Sequence, residues 1–167
     1  EGIALLLDLV RESDIVVENL RPGAAERLGL DYERLNSVNE RIVYIAMGMY
    51  GSTGPLAYQT GYAPCFVALG GPPSLVGYEG EAPSGLNVRY ADSTFGTLAT
   101  FAGLVALLHA RDTGRGQLVD VSAVESMSVM VADSIMDYTL NGVIHSCSGN
   151  RHRDMAPHGV FPCAGGE

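Results

Sequence analysis

The sequence predicts an α/β fold in which a parallel sheet is flanked by helices. Two short runs, Ile15–Val17 and Arg41–Met47, are almost entirely apolar and rich in β-branched residues, which is typical of buried strands. Two short helical segments, Ala24–Leu28 and Asp31–Leu35, lie between them. This βαβ order indicates that the strands run parallel. A third strand, Leu118–Val121, is predicted after a long helix.

The remaining helices follow from apolar periodicity and from residues that start or stop helices. Apolar residues at 3, 6, 7 and 10 predict a helix that opens the chain. Asp31 is predicted to cap the helix that follows it. A short helix over Tyr62–Leu69 is expected inside a region crowded with glycine and proline. Ser122 and Glu125 have the spacing of a capping box, which predicts a helix continuing to Leu140.

The strongest predicted helix spans Asp92–Ala110, and its few charges suggest burial on most sides. Asp92 would then lie at the helix N-terminus, where unpaired N–H groups and the helix dipole favour an anion by ~0.3–1 kcal/mol. A carboxylate held there suits a nucleophile or an electrostatic stabiliser. The alternative is that Asp92 only caps the helix, and position alone favours this interpretation.

A second candidate site follows the first strand, at the place where open α/β sheets bind ligands. Asn19 offers an amide there, and the guanidinium groups of Arg21 and Arg27 match phosphate oxygens. The alternative is a surface turn with solvated arginines. The dinucleotide fingerprint and the Walker spacing are both missing from the sequence, so a common nucleotide site is not predicted.

Composition excludes several classes of function. The chain has 167 residues, 47% of them hydrophobic, and a formal net charge of −9, which indicates one globular domain and disfavours a nucleic-acid groove. All ten basic residues are arginine. Schiff-base and general-base chemistry on a lysine is therefore excluded for this chain.

Cysteines, histidines and apolar runs set further expectations. Cys65, Cys147 and Cys163 form no C-x-x-C pair, and the histidines lack metal-ligand spacing, so we expect no disulfide framework and no metal site. The longest apolar runs are far short of the ~20 residues that span a bilayer, and no signal peptide is recognisable. We therefore expect a cytoplasmic protein that binds neither membrane nor nucleic acid. Because the chain begins without methionine, we suspect that it is a piece of a longer polypeptide.

Two further groups of residues each allow two interpretations. His152 and its neighbours Arg151 and Arg153 form either a solvated loop or a site for a carboxylate or phosphate. A helical stripe of methionines belongs to the core or to a subunit interface, and it comprises Met127, Met130 and Met136 with Val131 and Ile135.

An ordered set of motifs covers nearly the whole chain and resembles the class III CoA-transferase family (CaiB/BaiF type). No single motif is specific, but their order and spacing are. The set comprises Ser13–Gly23, Glu26–Leu30, Asn39–Tyr44, Gly61-Tyr62, Tyr90–Ser93 and Thr113–Val121.

The resemblance implies an interlaced homodimer with a Rossmann-like large domain and a smaller second domain. Residues 1–143 would belong to the large CoA-binding domain, and residues 144–167 would form a linker and the start of the small domain. Asp92 matches the catalytic aspartate of the family, and Tyr62 matches a tyrosine beside the CoA thioester. Asn19, Leu20 and Arg21 match the segment of the family that contacts CoA, and Arg27 matches an arginine near the CoA phosphates.

The implied reaction moves CoA from an acyl-CoA to a carboxylic acid acceptor, with no permanently bound cofactor. Asp92 would form a mixed anhydride and then an aspartyl-CoA thioester, and the glycines at 48, 51 and 54 are candidates for holding CoA or stabilising oxyanions. An α-methylacyl-CoA racemase is the alternative enzyme, but racemases carry a His-Asp pair where this chain has Tyr62-Ala63. A noncatalytic CoA-binding subunit is the third possibility. The chain also departs from the glycine-run loop of formate/oxalate members, having residues 149–154 in that stretch.

Overall fold

A computed structural model of the chain describes residues 2–85 and 88–165. Two short 3-10 turns, Pro72–Leu75 and Val129–Val131, accompany the regular elements. The helices and strands in chain order are α1 (Gly2–Arg11), β1 (Ile15–Glu18), α2 (Ala24–Leu28), α3 (Tyr32–Val38), β2 (Val43–Gly48), α4 (Ala63–Gly70), α5 (Val88–Thr113), β3 (Gln117–Ser122), α6 (Ala123–Ser128) and α7 (Ala132–Asn141).

The three strands form one parallel sheet in the order β1-β2-β3. Val17 of β1 lies opposite Ile45 of β2, and Ile45 lies opposite Val119 of β3. The predicted α/β fold with a parallel sheet and flanking helices is therefore confirmed. Asp31 also caps α3 as predicted, since its carboxylate accepts a hydrogen bond from the Arg34 N–H at 3.0 Å.

The central strand β2 is covered on both faces, which explains why its sequence is almost entirely apolar. On one face α1 and α3 pack through Val10 and Leu35 against Ile42 and Tyr44. On the other face α5 lies against Val43 and Ile45 through three alanines, Ala99, Ala106 and Ala110. Small residues allow α5 to pack close to β2, since a Cβ added to Gly103 of α5 would lie 2.5 Å from Ile45 Cδ1 of β2.

The start of α5 differs from the prediction. The helix begins at Val88, and Asp92 is its fifth residue rather than its N-cap. Ala91 is fully buried in the core, so packing extends the helix upstream of the predicted capping residues. Because the dipole effect falls off within the first turn, the predicted electrostatic preference for an anion at Asp92 is weakened.

The expectation that α5 is buried on most sides is also wrong for the described chain. Its alanine face is buried, whereas large apolar side chains opposite are exposed, Phe101 at 66% and Leu108 at 61%. By length and composition alone α5 could cross a membrane. Its alanine face instead packs on a small open sheet, which is the arrangement of a core helix, because open sheet edges do not occur in hydrocarbon.

The second long helix predicted over Ser122–Leu140 is interrupted. Ser122 caps α6 as predicted by accepting a hydrogen bond from the Glu125 N–H at 3.3 Å. The β-branched pair Val129 and Val131 then lies in a 3-10 turn that separates α6 from α7. The methionine stripe is divided as a result, because Met127 is fully buried and Met136 is exposed.

Candidate active site

A cleft of about 540 Å³ lies at the carboxyl ends of the three strands. The β1–α2 turn contributes residues 20–23 to its lining, the end of β2 contributes Gly48, and the start of the β2–α4 loop contributes Gly51 and Ser52. Tyr44 and Ala46 of β2 also line the cleft. Ligands of open parallel sheets bind at this edge, so the topology makes the cleft a candidate binding site.

The β1–α2 turn is shaped by local hydrogen bonds and by one glycine. The Glu18 carboxylate accepts a hydrogen bond from the Leu20 N–H at 2.6 Å, which folds the chain back after β1. Gly23, with φ of 73°, then turns the chain into α2. A Cβ on Gly23 would lie 2.9 Å from Arg27 Nη1, so Arg27 reaches back over the same turn that carries Arg21.

The structure therefore places four of the predicted site residues on or beside the β1–α2 turn. Leu20 and Arg21 line the cleft, Arg27 lies over the turn, and Asn19 is exposed beside it. Within the described residues the Arg21 guanidinium has no hydrogen-bond or ion-pair partner in the chain. The Arg21 guanidinium is therefore available to bind an anionic ligand at the rim of the cleft.

The lining of the cleft is acidic, because it holds five carboxylates and one arginine, Arg21. Tyr44 is buried in its wall, and burial raises the pKa of the phenol to about 12, with added contributions from the carboxylates of Glu18, Glu26 and Asp31. A phosphate placed among these carboxylates would be repelled. The arrangement favours a neutral group with hydrogen-bond donors inside the cleft and an anion at the Arg21 rim.

Asp92 and Tyr62 lie outside this cleft, on the neighbouring pair of helices. Tyr62 is the N-cap of α4 and its side chain is 79% exposed. Asp92 is an exposed residue of α5, and the part of the chain that the structure describes offers its carboxylate no hydrogen bond or ion pair. Sequence reasoning named both residues, but the structure does not place them in one pocket with Arg21.

The β2–α4 loop connects the two regions. Its first residues form a wall of the cleft, and its last residue before α4 is Tyr62. Met49, at its start, packs on the cluster that contains Ala91, the residue before Asp92. Helix α5 ends at Thr113 and β3 begins at Gln117, so α5 ends near the amino ends of the strands and runs antiparallel to them. The beginning of α5, which carries Asp92, therefore lies towards the carboxyl ends of the strands, where the cleft is.

Three groups in the cleft were not singled out from the sequence: Glu18, Tyr44 and Asp120. Asp120 lies two residues before the carboxyl end of β3 and lines the cleft. Its signal is an acidic residue between apolar residues in the second half of a strand, which sheet topology places near the end where ligands bind. Among the described residues, no group of three or more His, Cys, Asp or Glu is arranged to hold a metal ion.

The cationic segment around His152 is engaged by carboxylates of the chain itself. Arg153 Nη1 donates to Asp137 Oδ2 at 2.6 Å, and His145 Nε2 lies 2.7 Å from the same oxygen. Arg151 pairs with Glu79. Hydrogen bonds from Asn141, Arg153 and His145 together lower the pKa of Asp137 to about 2. The segment is exposed, as expected of a solvated loop, and the carboxylates that its arginines meet belong to the chain itself.

Comparison with known proteins adds an independent observation. A family model described as CoA-transferase family III matches residues 1–167. The chain is 34% identical to a succinyl-CoA–D-citramalate CoA-transferase from Chloroflexus aurantiacus, over 99% of this chain and 41% of that protein. It is 33% identical to an acetyl-CoA:oxalate CoA-transferase from Acetobacter aceti, over 95% of this chain and 41% of that protein.

A solved structure is similar as well. The crystal structure of a CaiB/BaiF family protein from Brucella suis superposes with a TM-score of 0.87 at 34% identity, over 95% of this chain and 42% of that chain. The chain therefore spans about two fifths of the length of the relatives that it matches.

Proposed function

The chain belongs to CoA-transferase family III, as its motifs predict, and on that premise we propose that the protein transfers CoA from an acyl-CoA to a carboxylic acid. The observation that carries this proposal is the family match along the entire chain. The CoA thioester is a substrate in this proposal, and no resident cofactor takes part.

The proposed nucleophile is the Asp92 carboxylate. It attacks the thioester carbonyl and expels CoA thiolate, which leaves a mixed anhydride on Asp92. The thiolate then attacks the aspartyl carbonyl, releases the first carboxylic acid as its anion and forms an aspartyl-CoA thioester. The acceptor carboxylate attacks this thioester, which frees the thiolate and forms a second mixed anhydride between Asp92 and the acceptor. The thiolate then attacks the acceptor carbonyl of this anhydride, which gives the new acyl-CoA and releases the Asp92 carboxylate. The exposure of Asp92 and its lack of partners in the described chain support this role.

Binding CoA is the second task, because the thiolate must stay in place between two attacks. We assign the phosphates to Arg21 and Arg27 on the β1–α2 turn, where Asn19 and Leu20 add contacts. The acid-lined cleft then suits the neutral adenine base, whose amino group can donate to a carboxylate, while the phosphorylated ribose stays beside the arginines. Tyr62, at the end of the β2–α4 loop, is proposed to lie beside the thioester.

Assembly is proposed from the same premise. Residues 1–143 would belong to a large CoA-binding domain and residues 144–167 to a linker and the start of a small domain; the last two of these lie outside the described residues. The absence of helix and strand over residues 142–165 of the described chain agrees with a linker. The exposed apolar face of α5 supports the interlaced homodimer, which would cover it. A cytoplasmic location remains part of the proposal.

The test is a transfer assay on the full-length protein with succinyl-CoA and a panel of isotopically labelled carboxylates. We expect a labelled acyl-CoA product with at least one acceptor. Asp92→Asn should abolish transfer and still bind CoA, while Asp133→Asn on α7 serves as the matched control for loss of one exposed carboxylate. Exchange of an α-proton for deuterium without CoA transfer would establish a racemase instead. CoA binding with no turnover of any kind would establish a noncatalytic subunit.

A further inference from the structure

Asp120 holds the β2–α4 loop through Ser52, although the two residues are far apart in sequence. The Ser52 hydroxyl donates to Asp120 Oδ2 at 2.6 Å, which is the distance of a charge-assisted O–H···O⁻ bond. The Ser52 backbone N–H also lies within hydrogen-bond distance of both carboxylate oxygens, 2.8 Å from Oδ2 and 3.1 Å from Oδ1. Both oxygens of Asp120 are therefore turned towards one residue of the loop.

The base of the loop is the part fixed to the rest of the chain. Just before Ser52, the Met49 carbonyl accepts hydrogen bonds from the Val124 N–H at 3.1 Å and from the Ser122 hydroxyl at 3.4 Å. Beyond Ser52, the described hydrogen bonds up to residue 61 are local ones, such as that from the Ala57 N–H to the Gly54 carbonyl. Ser52 is thus the last hydrogen-bonded attachment before the loop reaches α4.

The position of this attachment matters because it lies in the wall of the cleft. Gly51 and Ser52 line the same cleft as residues 20–23 of the β1–α2 turn. Gly51 has a φ of 77°, a conformation that favours glycine, and a Cβ there would come within 3.4 Å of Asp120 Oδ2. The bonds between Ser52 and Asp120 therefore hold the part of the loop that lines the cleft.

We infer that Asp120 is a positioning residue for CoA binding, which acts through Ser52 on the β2–α4 loop. This inference rests on the proposed function. Asp120 need not touch CoA, because its two oxygens are already used. Its role is to keep the cleft wall in place and, further along the same loop, to limit where Tyr62 can lie.

Whether KM for acyl-CoA rises or falls when the Asp120 carboxylate is removed distinguishes a positioning role from a purely electrostatic one. CoA is an anion, so removing a carboxylate from the cleft by charge alone would strengthen its binding and lower KM. Loss of the attachment would release the loop wall and raise KM. Glu33→Gln is the matched variant for charge, since Glu33 lines the same cleft without a hydrogen bond to the loop.

The experiment combines two measurements on the full-length protein. Hydrogen exchange of the ligand-free protein reports on the amides of residues 50–59, and steady-state kinetics give kcat and the acyl-CoA KM. For Asp120→Ala we expect faster exchange in this segment and a KM raised roughly tenfold, with kcat changed much less. Asp120→Asn keeps one carbonyl acceptor and should fall between Asp120→Ala and the wild type. Glu33→Gln should leave exchange unchanged, so a change of KM in that variant reports on a cleft carboxylate and not on the attachment of the loop.

Ser52→Ala tests the same attachment of the loop from its other side. It removes the hydroxyl bond and keeps the N–H bond, so its effects should be smaller than those of Asp120→Ala, and the double variant should be no worse than Asp120→Ala alone. Unchanged exchange in Asp120→Ala, or a KM that does not rise, would overturn the inference. A wild-type protein without CoA transfer would overturn the proposed function instead, and the exchange data would show whether the attachment exists regardless of turnover.

Discussion

Gly116 lies directly against the backbone of Ile42, so closely that a Cβ at position 116 would overlap the Ile42 carbonyl. The Gly116 N–H donates to the Glu40 carbonyl at 2.7 Å, and its own carbonyl accepts from the Tyr32 hydroxyl at 3.3 Å. This contact fixes the approach of the chain to β3 beside the start of β2. The alignment of β2 and β3, which both contribute residues to the cleft, depends on this contact between Gly116 and Ile42.

Gly116→Ala should therefore destabilise the protein. The methyl group would meet backbone atoms that cannot move aside without disturbing the sheet, and overpacking of this kind costs ~1–3 kcal/mol of unfolding free energy. Gly96→Ala on α5 is the control, because nothing lies within 4 Å of its added Cβ. That helix-interior substitution should stabilise by roughly 0.5–1 kcal/mol. Urea unfolding measures both, and a Gly116→Ala protein as stable as the wild type would contradict the contact.

The assignment of CoA phosphates to the β1–α2 turn predicts an effect of its two arginines. Arg21→Ala and Arg27→Ala should each raise the acyl-CoA KM roughly fivefold, as expected for loss of one solvent-exposed charge pair. The effect should shrink at high ionic strength, since salt screens exposed charges. Kinetics at two salt concentrations measure this.

Arg111→Ala provides the control for these variants. Arg111 is an exposed arginine in the last turn of α5, near the amino edge of the sheet and away from the cleft. Its KM should equal that of the wild type. An Arg21 variant that behaves like the Arg111 variant would remove the phosphate assignment from the turn.

The network on α7 predicts how stability depends on pH. Because hydrogen bonds from Asn141, Arg153 and His145 lower the pKa of Asp137 from 3.8 to about 2, the folded state favours the ionised carboxylate. The resulting stabilisation is complete above the ordinary pKa of 3.8 and is lost as the pH falls through about 2. Asp137→Asn should remove this dependence.

Urea unfolding of both proteins between pH 6 and pH 2 tests the network. The difference in unfolding free energy between wild type and Asp137→Asn should be largest at the upper end and should shrink below pH 4. Asp133→Asn, on the same helix, controls for removal of one negative charge. A difference that stays constant across this range would show that Asp137 is not held by the network.

Much of the fold was predictable because local sequence decides it. The apolar runs that became β1 and β2 are typical of strands that pack against helices, and the capping residues Asp31 and Ser122 act within four residues of their partners. The start of α5 was not predictable in this way. Burial of Ala91 against α4 extends that helix beyond its apparent capping residues, and this packing is a tertiary effect.

In the candidate site, too, local sequence predicts some features and tertiary packing decides the others. Motif matching named Arg21, Tyr62 and Asp92, whose positions in the family pattern can be read from the sequence. It did not reveal Asp120, because its partner Ser52 lies 68 residues away and only the sheet topology joins them. Nor could local sequence show that the carboxylates of Glu18, Glu26 and Asp31 surround Tyr44.

The central claim is that Asp92 forms covalent intermediates with its substrates. The most direct measurement is mass spectrometry of peptides from the full-length protein, quenched during turnover with succinyl-CoA, with and without hydroxylamine. We predict an aspartyl-CoA thioester on the peptide that contains Asp92, converted to a hydroxamate at the same residue when hydroxylamine is present. Turnover that proceeds while this peptide stays unmodified in both samples would contradict the account.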